Sequence, residues 1–161
     1  VQAARSVNIG CVRLTERHMA SAPATPDQIQ RVEADTDAAI DSVLQSVPLE
    51  KATRAVAVAG TATTIAAAAL GLKTYDSEVI NGSSISVDTV QKTAEMLRSM
   101  TREERAALGY MHPGRVDVIG AGATIYARIM TRLREITEGN IDSVTVSEHD
   151  ILDGIALSQV R

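Results

Sequence analysis

The fold is decided by one stretch of the chain, Ala55-Val56-Ala57-Val58-Ala59-Gly60-Thr61-Ala62-Thr63-Thr64. Its first five residues are wholly apolar and are bounded by polar residues, a pattern typical of a strand buried on both faces of a parallel sheet. The run ends at Gly60, and the alanine-rich residues 65–70 that follow, up to Gly71, predict a helix. A strand, a glycine turn and a helix in this order begin a βαβ unit, so the stretch predicts an α/β fold.

Two further strands are predicted on either side of this unit. Apolar residues alternate with polar or small ones over residues 6–14, which is the period of a strand. Residues 143–147 form another short strand pattern. We expect the strands at 6–14, 55–59 and 143–147 to share one sheet.

Capping signals predict where the helices begin. Thr25, Pro26 and Gln28 form an N-terminal capping box before a helical pattern that Pro48 closes, and we expect this helix to pack on the sheet. Ser86 and Thr101 are the predicted N-caps of two more helices. A further helical period runs from residue 116 to 133 through Gly120 and Gly122.

The remaining segments carry weaker patterns. Residues 72–85 predict a loop, and residues 102–105, two arginines around two glutamates, predict solvated helix surface. Residues 147–150 are predicted to cap a last helix with Leu152, Ile155 and Val160 on its inward face.

Composition excludes several classes of protein. The chain has 161 residues, 45% of them hydrophobic and 22% charged, which predicts one folded domain over residues 1–161. A net charge of −4 and an aromatic content of 2% argue against nucleic-acid binding, and no apolar run is long enough to span a bilayer. The single cysteine, Cys11, rules out an internal disulfide and predicts a cytoplasmic protein.

The turn after the first buried strand is the best candidate site. Gly60 permits close approach of a ligand, Thr61 and Thr64 offer hydroxyl groups, and the helix N-terminus behind them favours a phosphate. The same spacing also fits a plain connection in which threonine caps the helix. Gly122 is a weaker candidate, because close helix packing explains the glycines of its segment without a ligand.

Arg115 is the second candidate. It follows a Pro-Gly turn at a helix start, where the helix dipole disfavours an unpaired cation, so we expect it to meet an anion. That anion is either a ligand phosphate or a neighbouring carboxylate. The three histidines lack the spacing of a metal site, and no catalytic acid–base pair is evident.

Four segments, taken together, resemble the bacterial exopolyphosphatases and guanosine pentaphosphate phosphohydrolases. They are Gly10-Cys11-Val12-Arg13-Leu14-Thr15-Glu16-Arg17, Ala57-Val58-Ala59-Gly60-Thr61-Ala62-Thr63-Thr64, His112-Pro113-Gly114-Arg115-Val116-Asp117-Val118-Ile119 with Ala121-Gly122-Ala123, and Val144-Thr145-Val146-Ser147 with Leu152-Asp153-Gly154. Their order and distribution cover nearly the whole chain.

The resemblance implies an actin-like, ribonuclease H-like fold of two α/β lobes, of which this chain is the second, with a mixed sheet flanked by helices. It also implies that the first phosphate loop and the catalytic glutamate lie in the N-terminal lobe and that the second phosphate loop comes shortly before Gly10, so we expect no catalytic residue and no metal ligand here. Gly60, Thr61 and Thr64 then match the superfamily's adenosine motif, Arg115 matches a phosphate-facing arginine and Gly122 matches the adjoining helix.

The implied activity is removal of a terminal phosphate from inorganic polyphosphate or guanosine pentaphosphate, with Mg²⁺ in the intact enzyme. The partners are that substrate and the N-terminal lobe, and a homodimer is also compatible with the sequence. We expect the chain alone to be inactive. Two alternatives stay open: a non-catalytic regulatory module that binds a nucleotide or phosphate, and a lobe of a superfamily small-molecule kinase.

Overall fold

A computed structural model describes residues 1–159 of the chain. Within them lie eight α-helices and three β-strands. The helices are α1 (Cys11–His18), α2 (Pro26–Leu44), α3 (Gly60–Ala69), α4 (Ser77–Ile80), α5 (Val87–Ser99), α6 (Arg102–Ala106), α7 (Ile119–Ile136) and α8 (Ile151–Ser158). The strands are β1 (Ala55–Ala57), β2 (Ser84–Ser86) and β3 (Ser143–Val146), and short 3₁₀ turns cover Leu49–Lys51 and Pro113–Arg115. No helix in this described part is long and apolar enough to cross a membrane.

The three strands form a mixed sheet in the order β1-β3-β2. β1 and β3 run parallel, with Val56 opposite Thr145, whereas β2 runs antiparallel to β3, with Ile85 opposite Val144. The α/β class, the mixed sheet and the prediction that the strands at 55–59 and 143–147 share one sheet are therefore confirmed.

The burial predicted for the first strand is wrong. Val56 and Val58 are both exposed, because β1 is an edge strand and one of its faces is uncovered in this chain. The segment at 72–85 is also more ordered than predicted, since α4 and most of β2 lie within it.

The strand predicted over residues 6–14 is also wrong, because α1 begins at Cys11. Its one fully buried side chain, Leu14, joins a small apolar cluster with Val32 of α2 and Ala121 of α7. The alternation of residues 6–14 is too short to outweigh this packing, which requires one apolar face of a helix.

α2 has the capping box predicted at Thr25, but it packs on α7 rather than on the sheet. Asp37 of α2 accepts two hydrogen bonds from Arg128 of α7, at 2.7 Å each. The large cluster around the sheet contains no residue of α2. The helix predicted to cover the sheet therefore forms a second layer outside α7.

α7 lies between two apolar clusters. Its residues Ile119, Ala123 and Met130 belong to the large cluster that α3, α5 and the sheet share, and Ala121 and Ile125 belong to the small cluster with α1 and α2. This double burial explains why the predicted helix is rich in glycine and alanine: both of its sides must allow close approach.

Two local predictions need correction. Arg105 is not solvated surface: its side chain is 2% exposed, and it donates from Nε to Leu97 O and from Nη2 to Arg98 O at the end of α5. Because α6 follows α5 closely, an inward arginine can cap the carbonyl end of α5. Leu152 and Ile155 are exposed rather than inward, and the third predicted residue of that face, Val160, lies outside the described residues.

The predicted N-caps at Ser86 and Thr101 are confirmed. The last helix is capped by Asp150, whose carboxylate accepts a hydrogen bond from the backbone N–H of Leu152. Local sequence signals thus locate most helix starts, whereas burial depends on contacts between distant segments.

Candidate functional site

The candidate site lies at the edge of the sheet where β1 and β3 both end. Because these strands are parallel, their carboxyl ends meet at the same edge, which is where open α/β sheets bind ligands. β1 leads into Gly60 at the start of α3, and β3 leads into Ser147 and Glu148. Residues from both connections line one polar cavity of about 150 Å³ there.

The N-terminus of α3 faces this cavity without a side-chain cap. Its N-cap residue is Ala59, with φ of 69°, a left-handed conformation that costs energy for a residue other than glycine. Within residues 1–159, no side chain accepts a hydrogen bond from the first turn of α3, although Thr25, Ser86 and Thr101 do this for their own helices. The free N–H groups and the positive end of the dipole favour an anion there.

The threonines of this turn are used mainly for local structure. The hydroxyl of Thr64 donates to Gly60 O at 2.7 Å, and the side chain is buried. Thr61 lies against Gly122 of α7, where an added Cβ would be 2.9 Å from Thr61 Oγ1 and 3.1 Å from Cys11 Cβ. Gly122 is itself buried behind Thr61, so it sets the distance between two helices rather than facing the cavity.

Arg115 lies directly over the start of α3. A Cβ added at Gly60 would overlap the Arg115 guanidinium, so only glycine leaves room for it. The 3₁₀ turn that carries Arg115 is fixed by His112, whose Nδ1 accepts a hydrogen bond from Gly114 N at 3.1 Å. Gly60, the uncapped amides and the guanidinium therefore converge from two distant segments.

The Arg115 guanidinium has no acidic partner within residues 1–159. The arginines that form ion pairs there are Arg17, Arg31, Arg102, Arg128, Arg132 and Arg134. The sequence leaves two anions open for Arg115, a ligand phosphate or a neighbouring carboxylate. Within the described residues, no carboxylate forms a salt bridge with Arg115. The cation instead adds to the positive end of the α3 dipole, which strengthens the field toward an incoming anion.

Tyr75 and Glu148 are site residues that sequence analysis missed. The Tyr75 hydroxyl donates to Glu148 Oε1 at 2.5 Å, and both residues line the polar cavity with Arg115. Burial, and next the hydrogen bond to Glu148, raise the pKa of Tyr75, so the phenol stays protonated at neutral pH. Glu148 could have been found because it comes two residues after a strand parallel to β1, whereas Tyr75 lies in a segment without any such signal.

A second, larger cavity also borders Arg115. It has a volume of about 360 Å³ and is lined by Thr64, Tyr75, Tyr110 and Met111, among other residues. Tyr110 is buried, which raises the pKa of its phenol. The cavity is therefore a mainly apolar recess beside the smaller polar one.

The described residues do not fit a metal centre. No group of three or more histidine, cysteine or acidic side chains converges within residues 1–159. The two carboxylates near Arg115 also have other functions, since Glu148 accepts from Tyr75 and Asp150 caps α8.

Comparison with known proteins agrees with this architecture. The family model described as the Ppx/GppA phosphatase family matches residues 1–159. The chain belongs to the Ppx/GppA phosphatase family. The resemblance drawn from four short segments is confirmed.

Two solved structures superpose well on this chain. An exopolyphosphatase-like protein has a TM-score of 0.95 at 41% identity, and the match covers 98% of this chain and 50% of the other. The Ppx/GppA family member of Aquifex aeolicus has a TM-score of 0.76 at 25% identity, covering 97% and 48%. The predicted lobe of the actin-like fold is confirmed.

A curated Ppx/GppA relative gives the same proportion. Exopolyphosphatase 2 of Mycobacterium tuberculosis is 45% identical over 158 residues, which are 98% of this chain and 49% of the relative. The chain thus spans about half the length of the curated relatives it matches.

Proposed function

We propose that this chain is the C-terminal lobe of an exopolyphosphatase-type phosphohydrolase and supplies part of the wall of the cleft between two lobes. The observation that carries the proposal is the Arg115 guanidinium lying on Gly60 at the uncapped start of α3. The exopolyphosphatase named among its relatives supports the choice of inorganic polyphosphate as substrate.

The residues of this lobe bind and orient phosphate groups. Arg115 offers a planar fork of N–H donors, and the first turn of α3 offers backbone N–H groups, so neighbouring oxygens of a phosphate chain can be held together. Such contacts stabilise negative charge in a phosphoanhydride both before and during hydrolysis. An arginine suits this function better than a lysine because its donors are fixed in one plane.

The water-activating group in this proposal belongs to the other lobe. Hydrolysis requires a base that accepts a proton from water as its oxygen attacks the terminal phosphorus. Glu148 is already hydrogen-bonded to Tyr75, and Asp150 accepts from the backbone of α8. We therefore assign these carboxylates to positioning Tyr75 and α8 rather than to proton transfer.

The proposal also includes Mg²⁺ as the cofactor and the cytoplasm as the location of the enzyme. Mg²⁺ would neutralise phosphate charge in the intact enzyme, with ligands from the other lobe, because the described residues provide no suitable set. A reducing compartment agrees with the one free cysteine of the chain.

Guanosine pentaphosphate is the second candidate substrate, and the 360 Å³ cavity favours it. Tyr75, Tyr110 and Met111 line a recess next to Arg115, so a purine could lie there while its phosphates reach the start of α3. Polyphosphate would leave this recess empty. The same recess is the feature that keeps a nucleotide-binding regulatory module and a kinase lobe as alternatives.

The proposal is tested by comparing this chain alone with a two-lobe fusion protein. In the fusion, residues 1–161 replace the matching half of the mycobacterial relative. With Mg²⁺, we expect the fusion to release phosphate from polyphosphate and the chain alone to release none, while both bind tripolyphosphate. Turnover by the chain alone comparable with the fusion would contradict the division of functions between the lobes.

Two further arms of the experiment separate the candidates. Faster release from guanosine pentaphosphate than from polyphosphate would favour the nucleotide, and Tyr110→Ala should then slow only that reaction. ATP-dependent phosphate transfer to a small molecule would instead favour the kinase. The control variant for these reactions is Arg102→Ala in the fusion, because Arg102 is exposed and paired with Asp117 away from the cleft.

A further inference from the structure

The Arg115 guanidinium and the Glu148 carboxylate line the same polar cavity of about 150 Å³. Within residues 1–159 they nevertheless form no salt bridge, although six other arginines do pair with acidic residues. Opposite charges that share a small, partly desolvated space attract each other more strongly than they do in open water. A pair between Glu148 and Arg115 would occupy the guanidinium that we assign to phosphate.

The Glu148 carboxylate is held by Tyr75 instead. The Tyr75 hydroxyl donates to Glu148 Oε1 at 2.5 Å, and a hydrogen bond to a carboxylate is stronger than one between neutral groups. The backbone of Glu148 is fixed as well, because its N–H donates to Asn81 Oδ1 at 3.1 Å. The hydrogen bond from Tyr75 therefore sets the direction of the Glu148 side chain among the described residues.

The other acidic residue of this cavity, Asp150, is also held by a donor other than Arg115. Its carboxylate accepts a hydrogen bond from Leu152 N at 2.9 Å and caps α8. This contact depends on the backbone of α8 and would remain without Tyr75. Glu148 is thus the carboxylate of the cavity whose direction depends on the Tyr75 hydroxyl.

We propose that Tyr75 is a positioning residue that keeps the Arg115 guanidinium available for phosphate by holding the Glu148 carboxylate. Without the Tyr75 hydroxyl, Glu148 turns toward Arg115 and competes with an incoming phosphate group. The inference rests on the proposed function, since it takes phosphate as the ligand of Arg115.

A direct contact between Tyr75 and phosphate is the competing explanation for any effect of Tyr75 on affinity. A phenol has one O–H donor, and in Tyr75 Glu148 already accepts it. A phosphate could take this donor only after Glu148 released it. The two explanations therefore differ in whether Glu148 matters once the hydroxyl is gone.

Tyr75→Phe tests the proposal, because it removes the hydroxyl and keeps the ring. Isothermal titration of the 161-residue chain should show about tenfold weaker binding of tripolyphosphate, since a charge-assisted pair then has to break first. The matched control is Tyr126→Phe, whose hydroxyl is buried without a hydrogen-bond partner in residues 1–159 and lies beside a different cavity. This control should leave the affinity unchanged. Unchanged affinity in Tyr75→Phe would overturn the proposal.

A second substitution shows whether Tyr75 acts through Glu148. Glu148→Gln in the Tyr75→Phe background should restore most of the lost affinity, because an amide attracts a guanidinium far less than a carboxylate does. The same substitution in the wild type should have a much smaller effect, since Tyr75 already holds Glu148. Glu78→Gln removes an equal charge from the exposed surface of α4 and should restore nothing. Lack of rescue by Glu148→Gln would favour the direct contact and overturn the proposal.

A crystal structure of Tyr75→Phe without phosphate makes the test independent of the proposed function. We expect a Glu148 carboxylate oxygen within about 4 Å of an Arg115 nitrogen, the usual limit for a salt bridge. A carboxylate that stays farther away would overturn the proposal. Absence of tripolyphosphate binding in the wild type would contradict the proposed function, whereas this distance reports on Tyr75 alone. If Tyr75→Phe does not fold, Tyr75→Met, which also lacks the donor, replaces it in each measurement.

Discussion

The Arg115 guanidinium occupies the space that a β-carbon would need at Gly60. These residues belong to different segments. Gly60 begins α3 after β1, and Arg115 lies in a 3₁₀ turn before α7. The glycine therefore acts by admitting a cation to a helix N-terminus, and not by adopting a backbone conformation that other residues avoid.

Gly60→Ala should weaken tripolyphosphate binding about ten- to a hundredfold, because the methyl group displaces the Arg115 guanidinium. The displaced atoms are the far end of a flexible side chain, so the melting temperature should change little. Isothermal titration and thermal unfolding measure the two effects. Gly10→Ala is the control, since its added methyl group meets nothing within 4 Å. Unchanged affinity in Gly60→Ala would show that Arg115 does not need this position.

Arg115→Ala should lower affinity by a similar factor, since a charge-assisted hydrogen bond to phosphate contributes about 1.5–3 kcal/mol. Arg115→Lys should recover only part of the loss, because a point charge cannot make the bidentate contact. In the two-lobe fusion we expect a raised KM or a lowered kcat/KM. Full activity combined with a melting temperature several degrees lower would instead make Arg115 a structural residue.

Arg105→Leu should lower the free energy of unfolding by about 2–4 kcal/mol, because two carbonyl groups at the end of α5 lose their charged donor. Urea denaturation measures this loss. Arg102→Ala, in the same short helix but exposed, should leave the free energy of unfolding nearly unchanged. Phosphate affinity should be unchanged in both variants, and equal stabilities would remove the capping function from Arg105.

Asp35 should make the free energy of unfolding depend on pH in the acidic range. Hydrogen bonds from His18 and then Arg17 hold the pKa of the Asp35 carboxyl below its usual 3.8, so the carboxylate form favours the folded state. Its contribution is complete above the unfolded-state pKa and is lost as pH falls through the lower, folded-state value. Urea denaturation between about pH 2.5 and 6 should show a smaller pH dependence for Asp35→Asn than for the wild type.

The comparison variant for this titration is Asp27→Asn, because Asp27 pairs with Arg31 on the exposed surface of the same helix. It should keep the acid dependence of the wild type. Identical profiles for the two asparagine variants would mean that the contact between α1 and α2 does not depend on Asp35.

Features that depend on neighbouring residues could be predicted from the sequence. The strand-turn-helix around Gly60 and the caps at Thr25, Ser86 and Thr101 all arise from contacts within a few positions. α1 could not be predicted, because its helical form depends on packing against the buried glycines of α7. Burial of Arg105 depends in the same way on where α5 ends.

The residues of the candidate site also differ in whether neighbouring residues or distant contacts determine their positions. Gly60 and Arg115 follow recognisable turns and carry the family resemblance, and Glu148 follows a parallel strand. Tyr75 and Tyr110 reach the cleft from irregular segments whose positions depend on the folded chain. The part of the candidate site around Gly60 and Arg115 can therefore be predicted from the sequence better than the apolar recess beside it.

The shared burial of α7 has a consequence for which changes of length the chain can accept. One residue inserted into α7 would rotate everything beyond it by about 100°, since a helix has 3.6 residues per turn. An insertion before Ala123 would turn Ala123 and Met130 away from the cluster at the sheet and would also turn Ile125 away from the cluster with α1 and α2. Both apolar clusters would lose contacts together. An inserted residue within the exposed residues 20–23, between α1 and α2, would shift no buried side chain of α7. Homologous chains should therefore vary in length there and keep the length of α7 constant.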